Sequence, residues 1–142
     1  ALRSGTSSTS TAFHEEFHNP NGAVGTISTN GSSTSFNTSS DYRLKENVVT
    51  DWDATSRLKQ LKPSRFNFIA DANTTIDGFL AHEVSSIVPE AVTGEKDAVD
   101  DDGNIVPQSI DQSKLVPLLT KTLQEALTRI DTLEAEVKAL KG

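Results

Sequence analysis

Apolar and polar residues alternate in three different rhythms along the chain. Between Phe13 and Phe36, short β-favouring pieces are separated by turn signals: Asn19-Pro20-Asn21-Gly22, then Ala23 to Thr29, then Asn30-Gly31, then Ser32 to Phe36. Asn-Gly pairs suit the positive φ of tight hairpin turns, so this stretch is predicted to form antiparallel strands. Its large apolar side chains are few, mainly Phe13, Phe17, Val24, Ile27 and Phe36. That is too little to fill a core within one chain, so the strands are expected to depend on other chains. A Ser/Thr-rich linker without fixed structure fits the same composition.

From Asp41 to Pro107 the rhythm is mixed. Trp52 to Leu61 reads as a short helix, Ser64 to Ile69 and Thr75 to Ala81 as strands, and Ala81 to Ile87 as a helix stopped by Pro89. Pro63 bars helix continuation, and Asp77-Gly78 marks a turn before Phe79-Leu80. Trp52, Phe66, Phe68 and Phe79 are the natural small core. The acidic cluster Asp97, Asp100, Asp101 and Asp102 is similar to a calcium loop but lacks the closing Glu at the twelfth position, so a solvated hairpin turn is expected there.

The third rhythm is helical. Leu119, Leu123, Ala126, Leu127, Ile130, Leu133, Val137 and Leu140 mark one face of a helix predicted over about 113–141, with Ser113 as N-cap, Pro117 tolerated near the first turn and Gly142 past the end. Positions 119, 123, 126, 130, 133, 137 and 140 step alternately by four and three, a heptad register, and predict a coiled coil. Leu123, Ile130 and Val137 at one seam with Ala126, Leu133 and Leu140 at the other lean toward two strands by simple core rules. Arg129-Ile130-Asp131-Thr132-Leu133-Glu134 points instead to three, because it resembles the motif in which an Arg reaches a Glu of the neighbouring helix. An amphipathic helix packed on its own domain is the alternative.

Composition sharpens the division. The first 39 residues are mostly Ser, Thr, Gly and Asn, and only Arg3, Glu15 and Glu16 are charged among them. Of a net charge of −7, the remainder therefore holds −6, from 12 basic and 18 acidic residues, which disfavours a nucleic-acid partner. The chain has no Cys, which removes disulfides and thiol catalysis, and no apolar run approaches the roughly 20 residues of a membrane span. It has no Met and no secretory-type leader, and is read as a fragment of a longer protein. The fold class is α+β: an all-β segment over 1–39, then over 40–142 a small mixed domain with a long C-terminal helix. No cofactor and no metal are expected; His14 and His18 have a metal-like i, i+4 spacing only if helical, and the flanking β signals oppose that.

At the junction stands Ser39-Ser40-Asp41-Tyr42-Arg43-Leu44-Lys45-Glu46-Asn47-Val48. A Ser and a Lys five apart face opposite sides of a strand and diverge on a helix, so a turn has to lie between them for any joint chemistry. Ser-Asp-Tyr-Arg-Leu-Lys-Glu-Asn resembles the opening signature of the intramolecular chaperone domains of phage endosialidase tailspikes, tail fibres and neck appendages. Asp77-Gly78-Phe79-Leu80-Ala81-His82-Glu83-Val84, Pro89-Glu90-Ala91-Val92 and Leu115-Val116-Pro117-Leu118-Leu119 fit as well, with His82 standing where Gln is expected. The resemblance implies a homotrimer in which residues 1–39 end an intertwined β stalk, a triple β-helix of the upstream fibre, and residues 40–142 act as chaperone. It also implies self-cleavage between Ser39 and Ser40, with Ser40 as nucleophile and Lys45 as its base, and Asp41, Arg43, His82 and Glu83 as supporting residues. Leu119, Leu123, Ala126, Arg129, Ile130, Leu133, Glu134, Val137 and Leu140 would carry trimerisation. Assembly in the host cytoplasm, a stalk kept in the virion and a released chaperone follow from the same resemblance. A lysine accepts the Ser proton only when neutral, whereas an ordinary ammonium titrates near 10.4, so burial or a neighbouring cation such as Arg43 is required. A structural fibre tip that trimerises, binds a receptor and is never cut is the rival reading.

Overall fold

A computed structural model describes residues 4–142, which form two compact units, one ending at Thr50 and the other spanning Asp51–Gly142. In the first unit, β1 (Ala12–Asn19), β2 (Gly22–Asn30) and β3 (Ser33–Thr38) make an antiparallel meander with β2 in the centre. Both connections are two residues long. Gly22 (φ 98°) and Gly31 (φ 57°) take the left-handed backbone that these tight turns need, and the Asn19 side chain accepts the Asn21 N–H. The β2–β3 register is regular, pairing Ile27 with Phe36, while β1 carries irregularities at Phe13/Glu15 and at Phe17/His18.

This sheet has almost nothing to pack on. Ser28 is its one buried residue among those described, and no apolar side chain between residues 4 and 50 is buried. Phe13, Phe17 and Phe36 all lie open to solvent, Phe36 at 77% of its full exposure. The strands form, in place of an unstructured linker, mainly through their ladder and turns, a weak basis for a three-stranded sheet.

The second unit holds the core. It contains α1 (Ala54–Leu58), the hairpin β4 (Ser64–Phe68) and β5 (Asp71–Gly78), α2 (Ala81–Val84), the short pair β6 (Val92–Thr93) and β7 (Ser109–Ile110), and α3 (Val116–Lys141). Ala54, Val84, Val88, Ala91, Leu115 and Leu118 are buried together, with Trp52, Leu58, Leu61, Phe79, Ile87, Val92 and Ile110 packed around them. Trp52 and Phe79 thus join the core as expected, whereas Phe66 and Phe68 do not. Those two stack edge to face on the hairpin, 5.6 Å between centroids, with Phe68 exposed and Phe66 lying over Gly78. A Cβ at Gly78 would meet the Phe66 ring at 3.2 Å, a tight approach that the absence of a side chain relieves; Gly78 ends β5, and the turn expected at Asp77-Gly78 does not form.

Polar side chains tie the short helices together. The Asp53 carboxylate caps α1 by accepting the Ser56 N–H, and Arg57 lies over the Trp52 ring while donating from Nε and Nη2 to the Ile87 carbonyl at 3.0 and 2.7 Å. Glu125, in the middle of α3, accepts the Ala54 and Thr55 N–H groups and the Thr55 hydroxyl, and so latches the long helix onto the first turn of α1. At the start of α3 the capping differs from expectation. Ser113 is not the N-cap; Asp111 accepts both the Ser113 N–H and its hydroxyl, capping a 3₁₀ turn over Gln112–Leu115 that runs into α3. Asp100 likewise organises the acidic turn, accepting from the Asp102 and Asn104 N–H groups and from the Asn104 amide, with Gly103 at φ 80°.

α3 therefore has two faces. Leu115 just before it, and Leu118 and Glu125 within it, face the unit's own core and α1, along with Thr122, whose Oγ1 is buried without a hydrogen-bond partner. Leu119, Leu123, Ala126, Ile130, Leu133, Val137 and Leu140 form a second stripe that is exposed along its whole length, so the expected alternative of a helix packed on its own domain holds only for the first turns. Among the described residues no helix is long and apolar enough to cross a membrane.

Removing the two terminal methyls of Val88 should lower unfolding stability by about 2 kcal/mol, whereas truncating the fully exposed Ile69 to Ala should change it by less than about 0.5 kcal/mol. Urea titration of the two variants checks the contrast. The Glu125 latch gives a pH dependence with a defined sign. The Thr55 hydroxyl first, then the α1 N–H groups, hold its carboxyl below the ordinary value of 4.5, so folding favours the ionised form. That contribution is present above pH 4.5 and is lost as the pH falls through the lower folded-state value. Denaturation midpoints from pH 7 down to 3 should drop further for the wild type than for Glu125→Gln, which cannot titrate; parallel curves would show that the latch contributes nothing.

Candidate functional site

Around Ser40 the chain leaves the sheet and turns back. Past Thr38 the β2–β3 ladder continues one residue further: the Ser39 N–H donates to the Val24 carbonyl at 3.0 Å and the Ser39 hydroxyl to the Ala23 carbonyl at 3.0 Å. Asp41 then caps a 3₁₀ turn over Tyr42–Leu44, its Oδ1 accepting the Arg43 N–H and its carbonyl accepting the Leu44 N–H. The Lys45 N–H closes the turn on the Tyr42 carbonyl at 3.1 Å. This is the turn that the five-residue spacing requires. It brings the Lys45 Nζ to 2.7 Å from the Ser40 Oγ, with the ammonium donating to the hydroxyl.

Asp41 and Arg43 are joined by a fork of two bonds, 2.9 Å from Nε and 2.7 Å from Nη2. The Arg43 guanidinium, helped by its N–H and by the Lys45 charge, holds the Asp41 carboxyl below the usual range, and Asp41 in turn raises Arg43. Arg43 is therefore charge-paired within the turn, and an ionised Asp41 stands near the Lys45 ammonium. Ser40 and Lys45 are both exposed in the single chain, as are Tyr42, Leu44, Val48 and Val49. The geometry places a hydroxyl and an amine in contact. Proton acceptance by a lysine further requires removal of water, and among the described residues none covers the exposed Lys45.

The remaining predicted site residues fall in the second unit. His82 is exposed on α2, and Glu83 pairs with Lys62 at 3.0 Å. On α3, Arg129 and Glu134 have no ion pair among the described residues; five positions apart, they point about 140° from each other and could not pair along one helix. His14 and His18 both lie on β1, and the two ring nitrogens of His14 are engaged by the Ser4 and Thr29 hydroxyls at 2.6 and 2.8 Å. Sequence reasoning missed the anchoring of Ser39 to β2. Its only signal was a serine placed after the last strand, and that says nothing without the register.

No curated protein matches the chain. Residues 40–93 match the peptidase S74 family model, described as "chaperone of endosialidase", and the match starts at Ser40. Residues 40–93 are thus similar to the chaperone-of-endosialidase family, and that similarity supports an intramolecular chaperone role.

Proposed function

We propose that the chain drives trimerisation and folding of an upstream fibre or tailspike of the same polypeptide and then releases itself by cutting between Ser39 and Ser40. The observation that carries this reading is the 2.7 Å contact of Lys45 Nζ with Ser40 Oγ across a capped turn, at the first residue of the family match. Neutral Lys45 takes the Ser40 hydroxyl proton as Oγ attacks the Ser39 carbonyl carbon through a five-membered ring. The C–N bond breaks, and the proton passes from Lys45 to the Ser40 nitrogen. An ester now joins Ser39 to the Ser40 oxygen. Water hydrolyses it, leaving a carboxylate on Ser39 and a free amine and hydroxyl on Ser40.

Two surfaces support the assembly half of the proposal. The exposed heptad stripe of α3 is an apolar seam with no partner among the described residues, and the sheet of the first unit carries exposed Phe13, Phe17 and Phe36. Three copies would bury both. Association would raise the local concentration of strands that lack a core, offsetting the entropy of a non-local fold, and would supply the cover that Lys45 lacks in one chain. Cleavage then follows assembly, and the stalk persists through slow unfolding once its chaperone is gone.

Mass spectrometry of the folded protein should give one fragment ending at Ser39 and another beginning at Ser40. Ser40→Ala should remain whole, and Lys45→Ala should be cut more slowly by about 10²-fold or more. A wild-type chain that stays intact when assembled would favour the uncut structural fibre tip. Light scattering should report three chains for Ser40→Ala, and a single chain after Ile130→Asp or Val137→Asp. A mass of two chains would instead make α3 a dimeric coiled coil.

A further inference from the structure

We propose that Ser39, the residue on the carbonyl side of the bond to be cut, is a positioning residue that makes cleavage conditional on a formed sheet. The inference rests on the autoproteolytic reading above and deepens it. Two groups of Ser39 bind the central strand: its N–H donates to the Val24 carbonyl and its Oγ to the Ala23 carbonyl, each at 3.0 Å. The ladder stops there half-made, for no reciprocal bond from the Val24 N–H to the Ser39 carbonyl is formed. The residue is thus fixed while its carbonyl stays available for attack. On the other side of the bond, Asp41 is fixed by the turn it caps and by the Arg43 fork.

The Ser39–Ser40 peptide is therefore clamped between two anchored neighbours, one on β2 and one on the turn that carries Lys45. Attack through a five-membered ring requires the carbonyl carbon to be presented to Oγ in one orientation, and each residual rotation of the Ser39 carbonyl dilutes that orientation. Because both acceptors are backbone atoms of β2, the clamp exists only where β2 and β3 have paired in the correct register. A one-residue slip would place the hydroxyl on the opposite face. The sheet most in need of partner chains is thereby the one whose completion aligns the bond.

The test compares Ser39→Ala and Ser39→Thr with the wild type and with the uncut Ser40→Ala, each as the full chain. First-order cleavage is followed by mass, and assembly by light scattering. Ser39→Ala should assemble like Ser40→Ala but be cut about three- to tenfold more slowly, the effect of one hydrogen bond. Ser39→Thr, bulkier but still bearing a hydroxyl, should recover most of the rate, which separates the bond from side-chain size. Equal rates for Ser39→Ala and a wild type that is cut would overturn this inference alone. So would equal slowing of both variants. A wild type that stays whole would overturn the autoproteolytic reading and this inference with it.

Discussion

A sheet without a buried apolar side chain sets the terms for everything else in this chain. The ladder and turns of β1–β3 satisfy the backbone, but intramolecular hydrogen bonds replace bonds to water and contribute modestly, so the strands lack the burial that usually offsets chain entropy. The second unit buries only six apolar side chains, all small or aliphatic, and presents its longest apolar surface, the heptad stripe of α3, to solvent. In both units the missing term is the same: apolar area awaiting a partner. A protein built this way is expected to couple folding to association, and a chaperone that acts on its own chain is one means of doing so.

The junction follows from that imbalance. Ser40 lies where the core-poor sheet ends, and the capped turn after it brings Lys45 back against the hydroxyl. The contact is present in a single exposed chain, so its geometry is local and needs only six consecutive residues. The cleavage proposed above needs more, because a lysine accepts a proton only when neutral, which calls for burial or a neighbouring cation, and Lys45 is exposed. On the proposed reading, geometry, which is local, is separate from protonation, which depends on surroundings, and one short segment would stay inert until its environment changed.

Much of this was legible in the sequence, for identifiable reasons. Asn30-Gly31 announced a hairpin because positive φ restricts residue choice, and the four-three stepping of the α3 stripe survives any context. Pro63 and Pro89 mark where helix cannot continue, although α1 and α2 already end at Leu58 and Val84. Features resting on distant partners were not legible. Glu125 looked like one of many polar helix residues, yet its partner Thr55 is 70 positions away. Asp111 displaced Ser113 as cap because a 3₁₀ turn was inserted ahead of α3. Phe66 and Phe68 stay outside the core, and ring size says nothing about which hairpin face is covered. At the site, Tyr42-Arg43-Leu44 contains neither Gly nor Pro, so the turn was invisible except through Asp41, whose side chain can cap one.

The two faces of α3 have a mechanical meaning. Leu118 and Glu125 key the helix to its own domain, while Leu119 and Ile130 belong to a stripe that starts one residue later, about 100° around the axis. The helix resembles a splined shaft: its rotation is fixed by the Glu125 latch, so the outer stripe leaves the domain at one set angle. Helices gathered along that stripe would have no freedom to choose their phase, and each attached domain would be clocked about the bundle axis to the same orientation as its neighbours. The polar contact with α1 would then be a source of rotational symmetry as well as of stability.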